Sequence, residues 1–196
     1  MLFRSEVLAS VEQAFMKPRT IRTLTLSGHG EPTLHPAFDL IVAGIRSIIA
    51  KTRPETQLAL FTNGTRVQDV RVQGACRLID RVMVKLDVGD EESFLLINRP
   101  LPVYTFADLM AGLRQMPGLV LQSCLMAGEK GNINGGPFSG WVERLGELHP
   151  QEVQIYSIER PTSERSIQGV DPGKLQEIQS ELEARFGFKV KAFWRD

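Results

Sequence analysis

A short apolar run, a polar turn and a stretch of helical periodicity follow one another five times along this chain. That rhythm restricts the possible folds more than any other feature. The runs are Ile21 to Leu26, Gln57 to Phe61, Arg81 to Asp87, Leu119 to Met126 and Glu152 to Ile158. They are rich in apolar and β-branched residues, the pattern of strands buried on both faces. The helical stretches are Ala37 to Ala50 behind Pro36, Val67 to Ile79, a helix capped by Thr105 to about Gln115, Phe138 to Leu148, and one capped by Asp171-Pro172 that ends at Phe186 before Gly187. Gly89 to Ile97 adds a short one, broken by Asn98-Arg99-Pro100. Another helix, capped by Ser5 and running to about Met16, precedes the first run, and Lys189 to Phe193 reads as a closing strand. Apolar strands joined by helices predict an α/β fold with a parallel sheet, wound by right-handed crossovers into a barrel or an open doubly wound sheet. No composition shift divides the chain, so residues 1–196 read as one domain.

Composition excludes several function classes. The formal net charge is zero and the pI is near 6.8. No electrostatic grip on nucleic acid or an anionic membrane is expected. The start lacks the basic-then-apolar pattern of a signal peptide, and no apolar stretch reaches the ~18 residues of a membrane span. The expected location is the cytoplasm. The two cysteines, Cys76 and Cys124, lie far apart in apolar surroundings and read as buried thiols. No metal-ligand spacing of the CxxC kind occurs, and no metal site is assigned.

The polar residues collect just after the runs, on the rim where α/β sheets place their sites. Leu24 to Pro36 carries Ser27, Gly28, Gly30, Glu31 and Pro32. The glycines allow positive φ and close approach of a ligand, and Pro32 stiffens the position of the carboxylate. Glu31 is suited either to holding an ammonium group or to a salt bridge with a neighbouring Lys or Arg. His29 and His35 flank it without the spacing of a helix-borne metal site. After the second run, Thr62-Asn63-Gly64 either reaches across the rim or makes an Asx turn. Lys85 and Asp87 share one side of the pleat, as a pair for ribose hydroxyls or a carboxylate, or as an ordinary ion pair. Asn98-Arg99 either contacts substrate or caps a short helix. The glycine-rich stretch 127–136 lacks phosphate-loop spacing and reads as a functional or mobile loop.

Taken in order, these segments resemble radical S-adenosylmethionine (SAM) enzymes, specifically the iron–sulfur oxidoreductase branch related to wyosine-type proteins. The resemblance rests on Leu26 to Pro36 with Gly30-Glu31-Pro32, Thr62-Asn63-Gly64, Leu86 to Phe94 followed by Ile97-Asn98-Arg99-Pro100, and Gln154-Ile155-Tyr156 with Arg160-Pro161. It covers nearly the whole chain. It implies a (β/α)6 TIM-like barrel, incomplete here because the parallel sheet lacks its first strand. It implies that Glu31 and the Gly30 backbone bind the amino group of SAM, with Ser27, Gly28, Pro32, Thr62, Asn63, Lys85 and Asp87 completing the cofactor site. Asn98, Arg99, Gln122 and Tyr156 are the expected substrate contacts.

The implied reaction is reductive cleavage of SAM at a [4Fe–4S] cluster, giving a 5′-deoxyadenosyl radical that abstracts hydrogen from a substrate. A flavodoxin or ferredoxin would supply the electron. The family holds its cluster with a CxxxCxxC loop, and this chain has no such loop; Cys76 and Cys124 match neither its position nor its spacing. The expectation is a fragment, inactive alone and cut short at an internal methionine. The alternatives are a non-catalytic barrel that binds SAM or a partner, and an unrelated barrel enzyme using Glu31 as acid or base. A missing strand also predicts an unpaired edge beside Ile21 to Leu26, open to association.

Overall fold

The structure, a computed structural model, describes residues 3–28, 30–159, 164 and 166–194. The apolar runs become strands β1 (Thr23–Leu26), β2 (Gln57–Thr62), β3 (Arg81–Lys85), β4 (Val120–Leu125), β5 (Glu152–Ser157) and β6 (Lys189–Phe193). They pair in sequence order into a single all-parallel sheet. The helices are α1 (Arg4–Met16), α2 (Phe38–Thr52), α3 (Val70–Cys76), the single turn α4 (Glu91–Ser93), α5 (Phe106–Leu113), α6 (Gly135–Leu148) and α7 (Pro172–Phe186). The α/β architecture and the parallel sheet expected from the periodicity are both present.

The sheet has two unlike faces because alternate residues of a strand point to opposite sides. One face is apolar. Val84, Leu86, Leu121, Leu125, Val153, Ile155 and Val190 pack there against Leu113, Trp141, Leu145, Leu175 and Leu182 of α5, α6 and α7. Leu58 and Leu60 form a second core with α1, α2 and α3. The other face carries a small buried patch of Ala59, Met83 and Val120, with Phe61, Cys124, Tyr156 and Phe193 nearer the strand ends and the polar and charged residues between them. Among the described residues β1 pairs only with β2. A groove of 800 Å³ runs along its other edge, lined by Val7 and Val11 of α1, by β1, and by Phe38, Ile41 and Ile45 of α2.

Element ends differ from expectation where side chains capture the backbone. Ser5 does not cap α1; the helix begins at Arg4, where the Glu6 carboxylate accepts the Phe3 N–H at 2.6 Å. Pro32, not Pro36, opens a helical turn, a 3-10 turn over Pro32–Leu34, and α2 starts only at Phe38. α3 starts at Val70 rather than Val67 because Asp69 accepts the Arg71 N–H at 2.8 Å. β3 ends at Lys85 because the Asp87 carboxylate turns to accept the Cys124 N–H at 2.8 Å. α4 runs into a π-helical turn, Phe94–Asn98, that ends on Arg99 at φ 47°.

Gly64 sits at φ +80°, and a Cβ there would meet Leu109 Cδ1 at 2.4 Å. Gly64→Ala is therefore expected to cost about 1–3 kcal/mol, from the left-handed backbone and the crowding together. Urea denaturation of the variant beside the parent chain measures it.

Candidate functional site at the strand ends

Glu31 joins the turns that follow β1 and β2. Its Oε1 accepts from the Thr33 N–H at 3.0 Å, the Thr33 hydroxyl at 2.6 Å and the Thr62 hydroxyl at 2.6 Å. Its Oε2 accepts from the Asn63 N–H at 2.7 Å. Thr33 and Thr62 are buried. A carboxylate offers about four acceptor positions, two per oxygen. Oε1 is crowded, whereas Oε2 has one donor and room for another. No Lys or Arg salt-bridges Glu31 among the described residues. Ser27, Gly28, Gly30, Glu31 and Pro32 all line the 800 Å³ groove.

Three readings are decided here. Gly28 and Gly30 do not adopt positive φ, and a Cβ on either would meet open space, so neither is held by backbone conformation. The Asn63 side chain does not reach across the rim. Its Oδ1 accepts from the Thr65 N–H at 2.9 Å and from the Thr65 hydroxyl in an Asx turn, and only its backbone serves Glu31. His35 Nδ1 accepts from the Ala37 N–H at 3.0 Å, a turn-packing role. His29 and Arg160-Pro161 lie outside the described residues.

The second corner is built on Asp87, which is 2% exposed. Its Oδ1 takes the Cys124 N–H, and its Oδ2 takes Asn98 Nδ2 at 2.7 Å and the Lys85 ammonium. The Lys85–Asp87 pair read from the pleat is thus present, with both carboxylate oxygens engaged. Burial disfavours the Lys85 charge, yet the Asp87 carboxylate outweighs burial and raises its pKa. Asn98 Oδ1 is buried without a partner among the described residues. Arg99 does not join this corner. Its Nε donates to Leu96 O at 3.4 Å, and the side chain is 71% exposed. Tyr156 lies beside Cys124 and close enough to Lys85 to feel its charge, and burial raises its pKa.

Asn132, in the 127–136 loop, belongs to no motif in the sequence. It is fully buried. Its Oδ1 accepts the Met126 N–H at 2.7 Å, and its Nδ2 donates to Asp87 O at 2.8 Å and Cys124 O at 2.9 Å. The loop is thereby tied down at its middle and welds the ends of β3 and β4. The one sequence hint is a polar residue in a glycine-rich loop directly after a strand.

Glu152 anchors the other end of the polar sheet face. Arg81, Lys191 at 2.9 Å and Lys189 at 3.8 Å surround it, and Gln154 Nε2 donates to it at 2.8 Å. Burial opposes ionisation, but Gln154, Lys191 and Arg81 prevail and hold its pKa below the ordinary 4.5. The stabilisation it contributes is therefore complete above pH 4.5 and is lost as pH falls through the lowered value. Glu152→Gln is expected to flatten the acid limb of stability against pH and to cost about 1–3 kcal/mol near neutrality. Denaturation at a series of pH values reads both.

Both thiols are buried. Burial pushes each up to about 11, helped at Cys76 by the charge of Glu31. At pH 8 roughly one thiol in a thousand is then ionised. Alkylation by iodoacetamide at that pH is expected to be far slower than in denaturant, as mass spectrometry reports.

No protein-family model matches the chain. A UPF0026 protein of Synechocystis is 29% identical over 167 residues, 80% of this chain and 57% of that protein. The chain spans about half the length of the UPF0026 relatives it matches. A domain of a pyruvate-formate lyase-activating enzyme from Bacteroides vulgatus superposes with a TM-score of 0.62 at 16% identity, covering 87% of this chain and 98% of that one. SuiB of Streptococcus suis, solved with SAM bound, superposes at 0.65 with 10% identity, over 96% of this chain and 42% of that one. Coproporphyrinogen III oxidase of Escherichia coli, a radical SAM enzyme, superposes at 0.60 with 15% identity, over 92% of this chain and 45% of that one, so the fold is that of the radical SAM enzymes. In this radical SAM fold, the Glu31 and Asp87 corners both lie at the C-terminal ends of strands. No helix among the described residues is long and apolar enough to cross a membrane.

Proposed function

We propose that this chain is a SAM-binding half-site of a radical SAM protein, gripping the methionine end of the cofactor at the Glu31 corner. The observation that carries the reading is the Glu31 carboxylate. Four donors from two turns fix it against the groove, and Oε2 keeps room for one more. A fixed carboxylate with an open acceptor position suits an ammonium group, through a charge-assisted hydrogen bond. Ser27, Gly28, Gly30 and Pro32 line the same groove, and a ligand can approach both glycines because no atom would contact a Cβ there. Thr62 and the Asn63 backbone act by holding Glu31. Lys85 and Asp87, with Asn98, Gln122 and Tyr156, form the further corner toward ribose or substrate. Arg99 stands outside it as an exposed cation.

The iron–sulfur cluster of the fold family does not fit the residues of this chain. Such a cluster is held by several convergent thiolates. Cys76 is packed in the core between α2 and α3, whereas Cys124 lies on the opposite, polar face of the sheet beside Tyr156. No group of three metal-ligating side chains forms among the described residues. The reading for this chain by itself is therefore SAM binding without cleavage, the non-catalytic alternative. Reductive cleavage of SAM belongs to a protein that also supplies the cluster ligands.

Isothermal calorimetry with SAM and with 5′-methylthioadenosine, which lacks the amino-acid end, tests the proposal. Binding of SAM with markedly weaker binding of methylthioadenosine is expected. Equal affinity for the two, or no heat with either, would overturn it.

A further inference from the structure

On the polar face of the sheet, strand register sets Lys85 beside Gln122, Gln122 beside Gln154, and Gln154 beside Lys191. β3, β4, β5 and β6 so present a continuous line of two carboxamides with a lysine at either end. At the usual strand spacing the two lysines stand about 14 Å apart. The carboxamides are linked, Gln122 Nε2 donating to Gln154 Oε1 at 3.4 Å. Behind the line Glu152 accepts from Gln154 and pairs with Arg81, Lys189 and Lys191.

Two features set this face apart from a surface that merely needs covering. The helix side of the same strands is apolar, with Leu121, Val153, Ile155 and Val190. Here Gln154 is 8% and Glu152 6% exposed, yet both are polar. Burying such groups costs stability unless they gain partners. The face also carries four cations, Arg81, Lys85, Lys189 and Lys191, against two carboxylates, Asp87 and Glu152, in a chain of zero net charge. Lys85 and Lys191 each keep 36% of the side chain exposed, so both remain accessible from solvent at the ends of the line.

We propose that this line is the substrate platform, and that the substrate is a small polar anion bearing carboxylate or phosphate oxygens. The lysines meet its charge and the carboxamides of Gln122 and Gln154 hydrogen-bond the groups between. The platform role rests on the reading of the Glu31 corner as the cofactor site, which would place the anion beside the cofactor.

The side-chain NH2 resonances of Gln122 and Gln154 report on the line directly. Citrate and pyrophosphate serve as probes, with glycerol as the neutral control at fixed ionic strength. Saturable shifts with either anion and none with glycerol are expected, and the anion that saturates at lower concentration tells carboxylate from phosphate. Lys191→Met leaves Glu152 paired with Arg81 and Lys189 and is expected to weaken anion binding about tenfold, the loss of one charge-assisted contact. Gln154→Leu serves as an independent second variant with the same expected direction. Unmoved NH2 signals with both anions, or shifts undiminished in Lys191→Met and Gln154→Leu, would make the line a structural network only and overturn the proposal. SAM titrated into the same samples separates the two readings. Shifts of the Gly30 and Asn63 amides with SAM but none with the anions fail the platform alone. The reverse pattern leaves an anion site on this face and fails the cofactor reading.

Discussion

Asn132→Leu is expected to destabilise the chain by about 3–5 kcal/mol, a large part of the ~5–15 kcal/mol that holds a domain folded. Leucine is of similar size, so the loss is one of polar satisfaction rather than volume. It strands the Met126 N–H and the carbonyls of Asp87 and Cys124, all served by the Asn132 carboxamide at 2.7–2.9 Å in a fully buried site. Each buried group left without a partner costs about 1–3 kcal/mol. The damage also spreads to the neighbouring corner, because the Asp87 whose carbonyl is freed also holds Lys85, Asn98 and the Cys124 N–H. Chemical denaturation measures the loss. A variant as stable as the parent would mean that the 127–136 loop carries no weight in the fold.

Glu31→Gln is expected to weaken SAM binding by about thirtyfold or more, equivalent to ~2 kcal/mol or more from one charge-assisted hydrogen bond. Glutamine keeps the shape but replaces one carboxylate oxygen with a donor. If the NH2 takes the place of Oε2, it faces the Asn63 N–H and an incoming ammonium, both donors themselves. The turn after β2 then loses its tie to the turn after β1, and the amide has no charge to attract the cofactor. Calorimetry of the variant reads the affinity. Circular dichroism checks that the fold survives the exchange.

Much of this architecture is legible along the chain because the signals are local. The apolar runs announce the strands, and Asp171-Pro172 with Gly187 marks both ends of α7. Asp69 shifts the start of α3 by three residues through one side-chain hydrogen bond that no periodicity reveals. The site is less legible than the fold. Its parts are visible as polar residues after strands, but their partnerships cross long stretches of sequence. Glu31 finds Thr62 and Asn63 about thirty residues on, and Asp87 finds Cys124 and Asn132 still further along. Asn63 reads equally as a rim ligand or an Asx turn; it makes the turn and serves Glu31 through its backbone. Asn132 carries no motif of its own in the 127–136 loop, yet its side chain is fully buried and ties that loop to β3 and β4. The line on the polar face needs register, which the sequence alone does not display.

The central claim, that the Glu31 corner receives the amino-acid end of SAM, is tested most directly at the Asn63 amide. That N–H donates to Glu31 Oε2, the oxygen with room for an ammonium. In a 15N-labelled sample titrated with SAM, the account predicts saturable shifts of the Asn63 and Gly30 amides that vanish in Glu31→Gln. Shifts confined to other parts of the chain, or the same Asn63 response in Glu31→Gln, would contradict it.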